Sequence, residues 1–200
     1  MHPDLNEIVD FFQAQQITIS TNASLRSKQW WSELGTNKNV TVTFCIDGIG
    51  KEHEFYRRNT SYKKIIENAK SFIEAGGTAR WQFIVFKHNE HQISEAKELS
   101  RQLGFEIIEF IYSDRFDTDD KWKVYENNKY LYDLEKPAKQ ITLKSHLNSK
   151  PGEKYWKELN ENKGPISCVW SEQRKLYIHS DGTVYPCCLL GSVRAGKNIE

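Results

Sequence analysis

Residues 81–86, WQFIVF, form the nearly continuous apolar run that decides the fold class of this chain. A run of this kind is typical of a parallel strand that is covered on both faces. A helical pattern at residues 62–75 precedes the run and ends at Gly76-Gly77, because glycine favours helix termination. A second helical pattern at residues 92–103 follows the run, and Gly104 stops it. The alternation of helix and strand predicts an α/β protein.

Three further stretches carry strand patterns, and helical patterns separate them along the chain. They lie at residues 16–20, 40–46 and 106–111, where β-branched and aromatic residues are frequent. Helices are predicted at residues 4–12 and 27–34 from the spacing of their apolar residues. Strands that alternate with helices pair in parallel through right-handed crossovers. We therefore expect four parallel strands in an α/β layer or barrel.

The segment from residue 112 to residue 164 breaks this alternation. It is polar and lysine-rich, without a firm periodic pattern, and we interpret it as a connector to a C-terminal module. The whole chain has 28 basic and 27 acidic residues, and acidic residues are interleaved with the lysines of the connector. A balanced charge is typical of a solvated face rather than of a nucleic-acid site. The sequence therefore predicts no nucleic-acid partner.

Composition and termini also bear on where the protein is found. The N-terminus carries acidic residues where a signal peptide would carry basic ones. No apolar run approaches the roughly 20 residues that a membrane-spanning helix needs. Three of the four cysteines are clustered, which fits metal chemistry in a reducing compartment better than a disulfide framework. These features predict a cytoplasmic protein with no membrane partner.

The cysteine cluster lies near the C-terminus, between Cys168 and Cys188. Strand-forming residues on either side of a turn signal, Ser180-Asp181-Gly182, predict a β-hairpin within this stretch. The hairpin would fold Cys187 and Cys188 back toward Cys168. Thiolates that are gathered from distant positions in this way are typical ligands of metal ions and iron–sulfur clusters. The sequence thus predicts a metal or iron–sulfur site here.

Polar side chains follow the predicted strands of the first part of the chain. Thr21-Asn22 follows the first strand, Asp47-Gly48 follows the second, and residues 87–91, KHNEH, follow the third. Residues 53–58, after the second strand, add further charged groups. In parallel α/β folds the carboxyl ends of strands meet at one edge, where binding sites form. We therefore expect a binding site on this rim.

Two groups of residues near the rim leave alternatives open. His88 and His91 with Glu90 have a spacing that is compatible with zinc, although a helix N-cap at Asn89 explains the cluster as well. Cys45 lies inside an apolar strand, and sequence spacing pairs no base with it. We interpret Cys45 as a small buried residue rather than as a nucleophile.

Four stretches, taken in their order along the chain, resemble one family. They are ISTNAS at residues 19–24, FCIDGIGKEHEFYRR at 44–58, WQFIVFKHNEHQI at 81–93 and the cysteine hairpin at 168–188. Together they are similar to radical S-adenosylmethionine (radical SAM) enzymes with a C-terminal SPASM domain, or the shorter twitch domain. The resemblance implies an α/β fold in which a partial parallel (β/α) barrel is followed by a small cysteine hairpin module.

The resemblance also implies a domain division. Residues 1–112 would form a partial radical SAM barrel that lacks its first strands. Residues 113–164 would be the connector, and residues 165–200 the start of a SPASM or twitch domain. The family's motif for the first auxiliary cluster is a cysteine, nine to fifteen residues, a glycine, four residues and a cysteine. Cys168, Gly182 and Cys187 satisfy this motif, with thirteen and four intervening residues.

By the same resemblance, S-adenosylmethionine would lie across the strand ends. Asn22 and the segment from Cys45 to Asp47 would lie near its ribose and methionine portion, and Arg57 is the candidate partner for its carboxylate. Cys45 stands where the family often has serine. Cys168 and Cys187 would ligate an auxiliary [4Fe–4S] cluster, and Cys188 is a further candidate ligand although adjacent residues in a strand point in opposite directions.

The family's radical-generating motif is missing from this sequence. The four cysteines do not form the Cys-x3-Cys-x2-Cys spacing that holds the radical-generating cluster, and at most three are available for the auxiliary one. We therefore expect an N-terminally truncated fragment that has no catalytic residue of its own and is inactive alone. A partner polypeptide would supply the missing motif.

The function implied by the resemblance is reductive cleavage of S-adenosylmethionine to a 5′-deoxyadenosyl radical, which modifies a peptide or small-molecule substrate. The alternative is a non-catalytic binding module, in which the C-terminal cysteines hold a structural zinc ion or no metal.

Overall fold

A computed structural model describes residues 2–113, 116, 120–138 and 173–186. Of the described residues, those from 6 to 138 belong to one compact unit, and residues 2–5 and 173–186 belong to a second. Among the helices of the described residues, none combines the length and hydropathy that crossing a bilayer requires. The elements in chain order are α1 (Leu5–Phe11), β1 (Ile17–Thr21), α2 (Lys28–Gly35), β2 (Val40–Cys45), α3 (Lys51–Tyr56), α4 (Tyr62–Glu74), β3 (Thr78–Val85), a short 3-10 turn (Glu90–Gln92), α5 (Ile93–Leu103), β4 (Ile107–Tyr112), β5 (Lys121–Glu126), β6 (Lys129–Glu135), β7 (Tyr177–Ile178) and β8 (Val184–Tyr185).

The four predicted strands form one parallel sheet in the order β1-β2-β3-β4. In the register, Thr21 of β1 lies opposite Phe44 of β2, which in turn lies opposite Trp81 of β3. Spatial order therefore follows chain order, as expected when each strand returns to the sheet through a crossover helix. The predicted α/β class is confirmed.

Aromatic rings from α2, β2 and α4 form the core on one face of the sheet. The ring centroid of Phe44 lies 5.4 Å from that of Trp31 and 5.9 Å from that of Phe72, and all three side chains are fully buried. Phe105, after α5, extends this cluster, with its ring 5.8 Å from Phe44 and 5.3 Å from Trp81. Aromatic side chains bury large apolar areas, so this cluster holds the helices against the sheet.

The apolar run at residues 81–86 is not covered on both faces, contrary to the expectation from sequence. Trp81, Phe83 and Val85 are fully buried, whereas the two residues between them are half-buried. On the second face, Ile84 packs against the cluster of Phe86, Phe116 and Leu134, and the thiol of Cys45 donates to Gln82. One face of the sheet is thus a fully buried apolar core, while the other combines apolar contacts with hydrogen-bonding groups.

Serine side chains cap two of the predicted helices. The Ser61 hydroxyl accepts a hydrogen bond from the backbone N–H of Lys64 at the start of α4, and Ser27 does the same for Trp30 at the start of α2. Helix α3 was not predicted from the sequence. This helix has six residues, which are too few to display a periodic apolar face.

An antiparallel hairpin, β5–β6, lies within the segment that the sequence predicts as a connector. Leu134 and Phe116 pack with Phe86 in a separate apolar cluster. The backbone N–H of Lys87, just after β3, donates to the Glu135 carbonyl at 3.0 Å. In β5, Lys121 and Lys123 alternate with Trp122 and Val124, which is the period-two pattern of a strand, so a signal for this hairpin was present in the sequence.

Candidate functional site

The carboxyl ends of β1, β2 and β3 lie along one edge of the sheet, because the three strands are parallel. Asn22 follows β1 directly, and Asp47 follows β2 by two residues. Arg57 ends α3, the short helix after β2. The fold brings Asp47 and Arg57 into direct contact, and it places Asn22 at the end of the neighbouring strand. We call this edge the strand-end rim.

Asp47 lies inside the rim and is fully buried. Its Oδ2 accepts a hydrogen bond from Arg57 Nε at 2.6 Å, and its Oδ1 accepts one from the backbone N–H of Ile84 at 2.7 Å. Burial raises the pKa of this carboxyl, whereas Arg57 and the Ile84 amide oppose the rise. Both carboxylate oxygens are thus engaged within the protein. A direct ligand contact of Asp47 stays a prediction.

Arg57 is the most exposed member of the ion pair, with 27% of its side chain accessible to solvent. Its guanidinium carbon also lies 5.2 Å from the ring centroid of Tyr56. Asp47 engages only Nε, and the two Nη nitrogens make no hydrogen bond to the residues that the structure describes. Because a guanidinium pairs well with planar carboxylates, these Nη groups are suited to an anionic ligand.

Asn22 takes part in a local turn after β1. Its Oδ1 accepts hydrogen bonds from the backbone N–H and the hydroxyl of Ser24, at 3.2 and 2.9 Å. Its Nδ2 donates to no residue in the described part of the chain. The amide nitrogen is therefore the group that Asn22 can offer to a ligand.

Cys45, the last residue of β2, lies within the electrostatic field of the ion pair. Its thiol donates to Gln82 Oε1 at 3.7 Å. Burial raises the pKa of the thiol, Arg57 opposes this rise, and Asp47 adds to it. Cys45 is half-buried, whereas the sequence suggested a small buried residue.

His53 is fully buried beneath the rim, although the sequence grouped it with the polar rim residues. Its Nδ1 accepts a hydrogen bond from the backbone N–H of Asp47 at 3.1 Å, and its Nε2 lies 3.2 Å from Thr60 Oγ1. Thr60 Oγ1 in turn donates to the carbonyl of Arg57. Burial lowers the pKa of His53 to about 4, with a further contribution from Arg57, so the imidazole is neutral at pH 7.

A tight turn makes these contacts possible. Gly48 has a φ of +140°, and a Cβ atom at this position would lie 2.7 Å from the backbone nitrogen of His53. Only glycine fits such a close approach without displacing the backbone. The turn therefore lets α3 begin immediately beneath the end of β2.

Asn89 is a site residue that sequence reasoning assigned differently. It stands at the N-cap position of the 3-10 turn but makes no capping hydrogen bond with its side chain. Its buried Nδ2 instead donates to the carbonyls of Asp47 and Ile84, at 3.0 and 2.9 Å, and its Oδ1 accepts from the N–H of Phe86. Asn89 thus ties the loop after β2 to the end of β3. In the sequence, the only indication of this role was the position of an asparagine just after a buried strand.

Among the residues that the structure describes, no group of three His, Cys, Asp or Glu side chains is arranged to hold a metal ion. In the segment for which zinc was an alternative, the ring of His88 lies 4.8 Å from that of Phe55 and 5.5 Å from that of Phe86. Glu90 accepts a hydrogen bond from the backbone N–H of Ala138. These side chains are therefore engaged in other contacts.

The predicted C-terminal hairpin is confirmed as β7–β8, in which Ile178 pairs with Val184. Gly182 has a φ of +85°, which is the left-handed conformation that favours glycine in a turn. Asp181 Oδ1 accepts a hydrogen bond from the Thr183 backbone N–H at 2.8 Å. The candidate ligands Cys168, Cys187 and Cys188 lie outside the described residues.

Comparison with known proteins relates two parts of this chain to radical SAM proteins of known structure and to a family model. Residues 168–199 match the family model of SPASM, an iron–sulfur cluster-binding domain. No curated protein sequence matches the chain significantly. Among solved structures, Streptococcus suis SuiB bound to S-adenosylmethionine is similar, with a TM-score of 0.50 and 20% identity over 55% of this chain and 26% of that chain. SuiB bound to its precursor peptide SuiA gives a TM-score of 0.50 and 17% identity over 92% of this chain.

The fold and the SPASM match together confirm the resemblance to the radical SAM/SPASM family. The α/β fold with its four-stranded parallel sheet is similar to the fold of SuiB, and residues 168–199 match the SPASM iron–sulfur domain. The chain spans 26% to 44% of the length of the two SuiB chains that it matches.

Proposed function

We propose that the strand-end rim binds S-adenosylmethionine and that the protein acts in radical SAM chemistry on a peptide substrate. The observation that carries this proposal is the ion pair of Arg57 with buried Asp47, which leaves the Nη nitrogens of Arg57 for an anionic ligand. The radical SAM-type fold supports the choice of ligand, because its strand ends form the corresponding edge.

In this proposal each rim residue has a distinct role. The Nη nitrogens of Arg57 donate to the carboxylate of S-adenosylmethionine. The Nδ2 of Asn22 and the segment from Cys45 to Asp47 lie near the ribose and the methionine portion. Because Cys45 is a weak hydrogen-bond donor that already bonds to Gln82, its contribution is packing rather than polar recognition.

The C-terminal segment would hold an auxiliary iron–sulfur cluster. Cys168 and Cys187 are the proposed ligands, with Cys188 as a third candidate. The β7–β8 hairpin supports this role, because its strands run antiparallel through a Gly182 turn and Cys187 follows β8 by two residues. The match of residues 168–199 to an iron–sulfur domain supports the kind of cofactor. A [4Fe–4S] cluster is proposed, with a further ligand supplied from elsewhere.

When bound beside a reducing [4Fe–4S] cluster, S-adenosylmethionine supplies a 5′-deoxyadenosyl radical that abstracts hydrogen from a substrate. This chain would position the cofactor, and a polypeptide with a Cys-x3-Cys-x2-Cys motif would provide that cluster. SuiB bound to its precursor peptide SuiA supports a peptide as the substrate class. We place the protein in the cytoplasm on the basis of its cysteine usage.

Isothermal titration calorimetry of the 200-residue chain with S-adenosylmethionine tests the rim. We expect Arg57→Gln to weaken binding roughly tenfold to a hundredfold, because a charge-assisted hydrogen bond is lost. Arg80→Gln is a matched control, since Arg80 also donates through Nε to a carboxylate, that of Glu106, but lies near the start of β3 and away from the strand ends. Equal binding by the wild type and Arg57→Gln would overturn the role of Arg57.

Anaerobic iron–sulfur reconstitution tests the C-terminal segment. We expect a brown chromophore with an electron paramagnetic resonance signal after reduction, and we expect Cys168→Ala combined with Cys187→Ala to abolish both. Cys45→Ala is the control, because Cys45 lies in the sheet at the end of β2. A colourless zinc adduct would instead identify a non-catalytic module.

A further inference from the structure

Arg57 is tied to the end of β2 at two points. Its side chain donates through Nε to Asp47 Oδ2 at 2.6 Å, and its main-chain carbonyl accepts a hydrogen bond from Thr60 Oγ1. Thr60 lies 3.2 Å from His53 Nε2, while His53 Nδ1 accepts from the backbone N–H of Asp47 at 3.1 Å. Two chains of contacts therefore begin at Asp47 and end at Arg57. We call Asp47, His53 and Thr60 the Arg57 support.

A single assignment of protons allows all the hydrogen bonds of the support to form at the same time. Because Nδ1 of His53 accepts a hydrogen bond, the neutral ring carries its proton on Nε2, which donates to Thr60 Oγ1. The Thr60 hydroxyl then donates its own proton to the Arg57 carbonyl. The Asp47 amide, the His53 ring and the Thr60 hydroxyl thus each donate one hydrogen bond and have a partner to accept it.

Asp47 itself is fixed by the neighbouring strand. Its Oδ1 accepts from the backbone N–H of Ile84, and its carbonyl accepts from Nδ2 of the buried Asn89. Asp47, His53 and Asn89 are all buried, so water does not compete for these hydrogen bonds. Asp47 is thus held by β3 as well as by β2, and its ion pair passes this constraint to Arg57.

We infer that Asp47, His53 and Thr60 are positioning residues, which hold the Arg57 guanidinium so that its Nη nitrogens meet the carboxylate of S-adenosylmethionine. An arginine side chain has many rotamers, and fixing it before binding removes the entropy loss that the ligand would otherwise offset. This inference rests on the proposed role of Arg57. It changes the role of Asp47 from a ligand contact to a support for one.

Two ligands separate positioning from general stability. S-adenosylmethionine carries the carboxylate, whereas 5′-methylthioadenosine has the same adenosine portion without the amino-acid portion. The quantity to measure is the binding ratio, defined as the dissociation constant of 5′-methylthioadenosine divided by that of S-adenosylmethionine. Calorimetry on the 200-residue chain at pH 7.5 gives both constants. We expect Asp47→Asn to weaken S-adenosylmethionine binding roughly tenfold while 5′-methylthioadenosine changes less than about twofold.

Thr60 provides a second variant pair, because its side chain is only partly buried and its replacement should leave the fold intact. Thr60→Val keeps the shape but removes the hydroxyl, so it should reduce the binding ratio roughly threefold. Thr60→Ser retains the hydroxyl and should restore the wild-type ratio. Melting curves followed by circular dichroism would verify that both variants are folded.

The outcomes distinguish this inference from the proposed function. If Arg57→Gln lowers the ratio but Asp47→Asn and Thr60→Val do not, the positioning role is overturned while the rim proposal stands. Equal weakening of both ligands in these variants also overturns it, because the residues would then be merely structural. If the wild-type chain does not prefer S-adenosylmethionine, both proposals fail. In the Arg57→Gln background, Asp47→Asn should cause no further change in the ratio.

Discussion

The dipeptide Asp-Gly occurs twice in this protein, at residues 47–48 after β2 and at residues 181–182 after β7. In the first copy the aspartate is fully buried, and its carboxylate accepts hydrogen bonds from Ile84 and Arg57 in other elements. In the second copy the aspartate side chain is 62% exposed, and it accepts a hydrogen bond from Thr183, two residues away. One dipeptide thus serves two different purposes.

The two carboxyl groups also differ in their acidity. Burial raises the pKa of Asp47 despite its ion pair with Arg57. The backbone N–H of Thr183 is the largest contribution that lowers the pKa of Asp181, which falls to about 2. Desolvation disfavours the charged form, whereas hydrogen bonds to a solvated carboxylate favour it. The comparison shows that the chemistry of an Asp-Gly turn depends on what covers it.

The largest effect is expected when the charge of each aspartate is removed. Asp47→Asn should lower the free energy of unfolding by roughly 3 kcal/mol, because the amide Nδ2 would face Arg57 Nε or the Ile84 backbone N–H, which are both donors, and would leave a buried donor unpaired. Asp181→Asn should have only a small effect, since its side chain is solvated. Urea denaturation at pH 7 measures both variants. Similar losses at the two positions would remove the distinction between them.

The second effect concerns pH, through the buried His53 beneath the first turn. The unfolded chain protonates this residue near pH 6.5, whereas in the folded chain its pKa is about 4. The contribution of His53 to the free energy of unfolding is therefore fully present above pH 6.5, and it is lost as the pH decreases toward 4. The loss amounts to roughly 3 kcal/mol for this group alone.

Other charged groups near His53 also affect how stability depends on pH. A variant at His53 is therefore needed to isolate the contribution of this residue. Arg57 also lowers the pKa of His53 and Glu54 raises it, while the raised pKa of Asp47 stabilises the folded state on acidification. His53→Asn keeps an acceptor for the Asp47 amide and should flatten the decline between pH 6.5 and pH 4. Urea denaturation at several pH values measures this slope. An unchanged slope would show that His53 does not cause the decline.

The smallest effect compares alanine at the two glycines. Both have positive φ, +140° at Gly48 and +85° at Gly182, so alanine is strained at each. At Gly48 the added Cβ would also lie 2.7 Å from the backbone nitrogen of His53. We expect losses of roughly 2 kcal/mol for Gly48→Ala and about 1 kcal/mol for Gly182→Ala. Thermal melting provides the comparison, and the opposite order would contradict it.

Local patterns in the sequence predicted much of the fold. The strands β1 to β4, the helices α2, α4 and α5, and the β7–β8 hairpin all lie close to their predicted positions. Apolar periodicity and turn residues are sufficient where neighbouring residues determine the structure. The β5–β6 hairpin was not predicted although Trp122 and Val124 alternate with lysines in β5, and α3 was not predicted because six residues are too few for a periodic apolar face.

The candidate site was predicted only in its outline. The positions of Asn22 and Asp47 at strand ends, and of Arg57 in the segment after β2, followed from the alternation of elements. The burial of His53 and the two carbonyl contacts of Asn89 did not follow, since the Asn89 contact with Asp47 spans 42 residues of sequence. Hydrogen bonds of this range depend on the register of parallel strands, which local patterns do not specify.

The sequence by itself determined that Asp47-Gly48 and Asp181-Gly182 would both be turns after strands, because aspartate and glycine favour turn conformations wherever they occur. Only the tertiary structure decided that the first turn would be buried. There β3 and α3 surround the carboxylate, exclude water and provide donors for both oxygens. The second turn meets no such neighbours among the described residues. Burial is a property of the packed chain, so the same two residues yield an exposed turn in one place and the support of an arginine in the other.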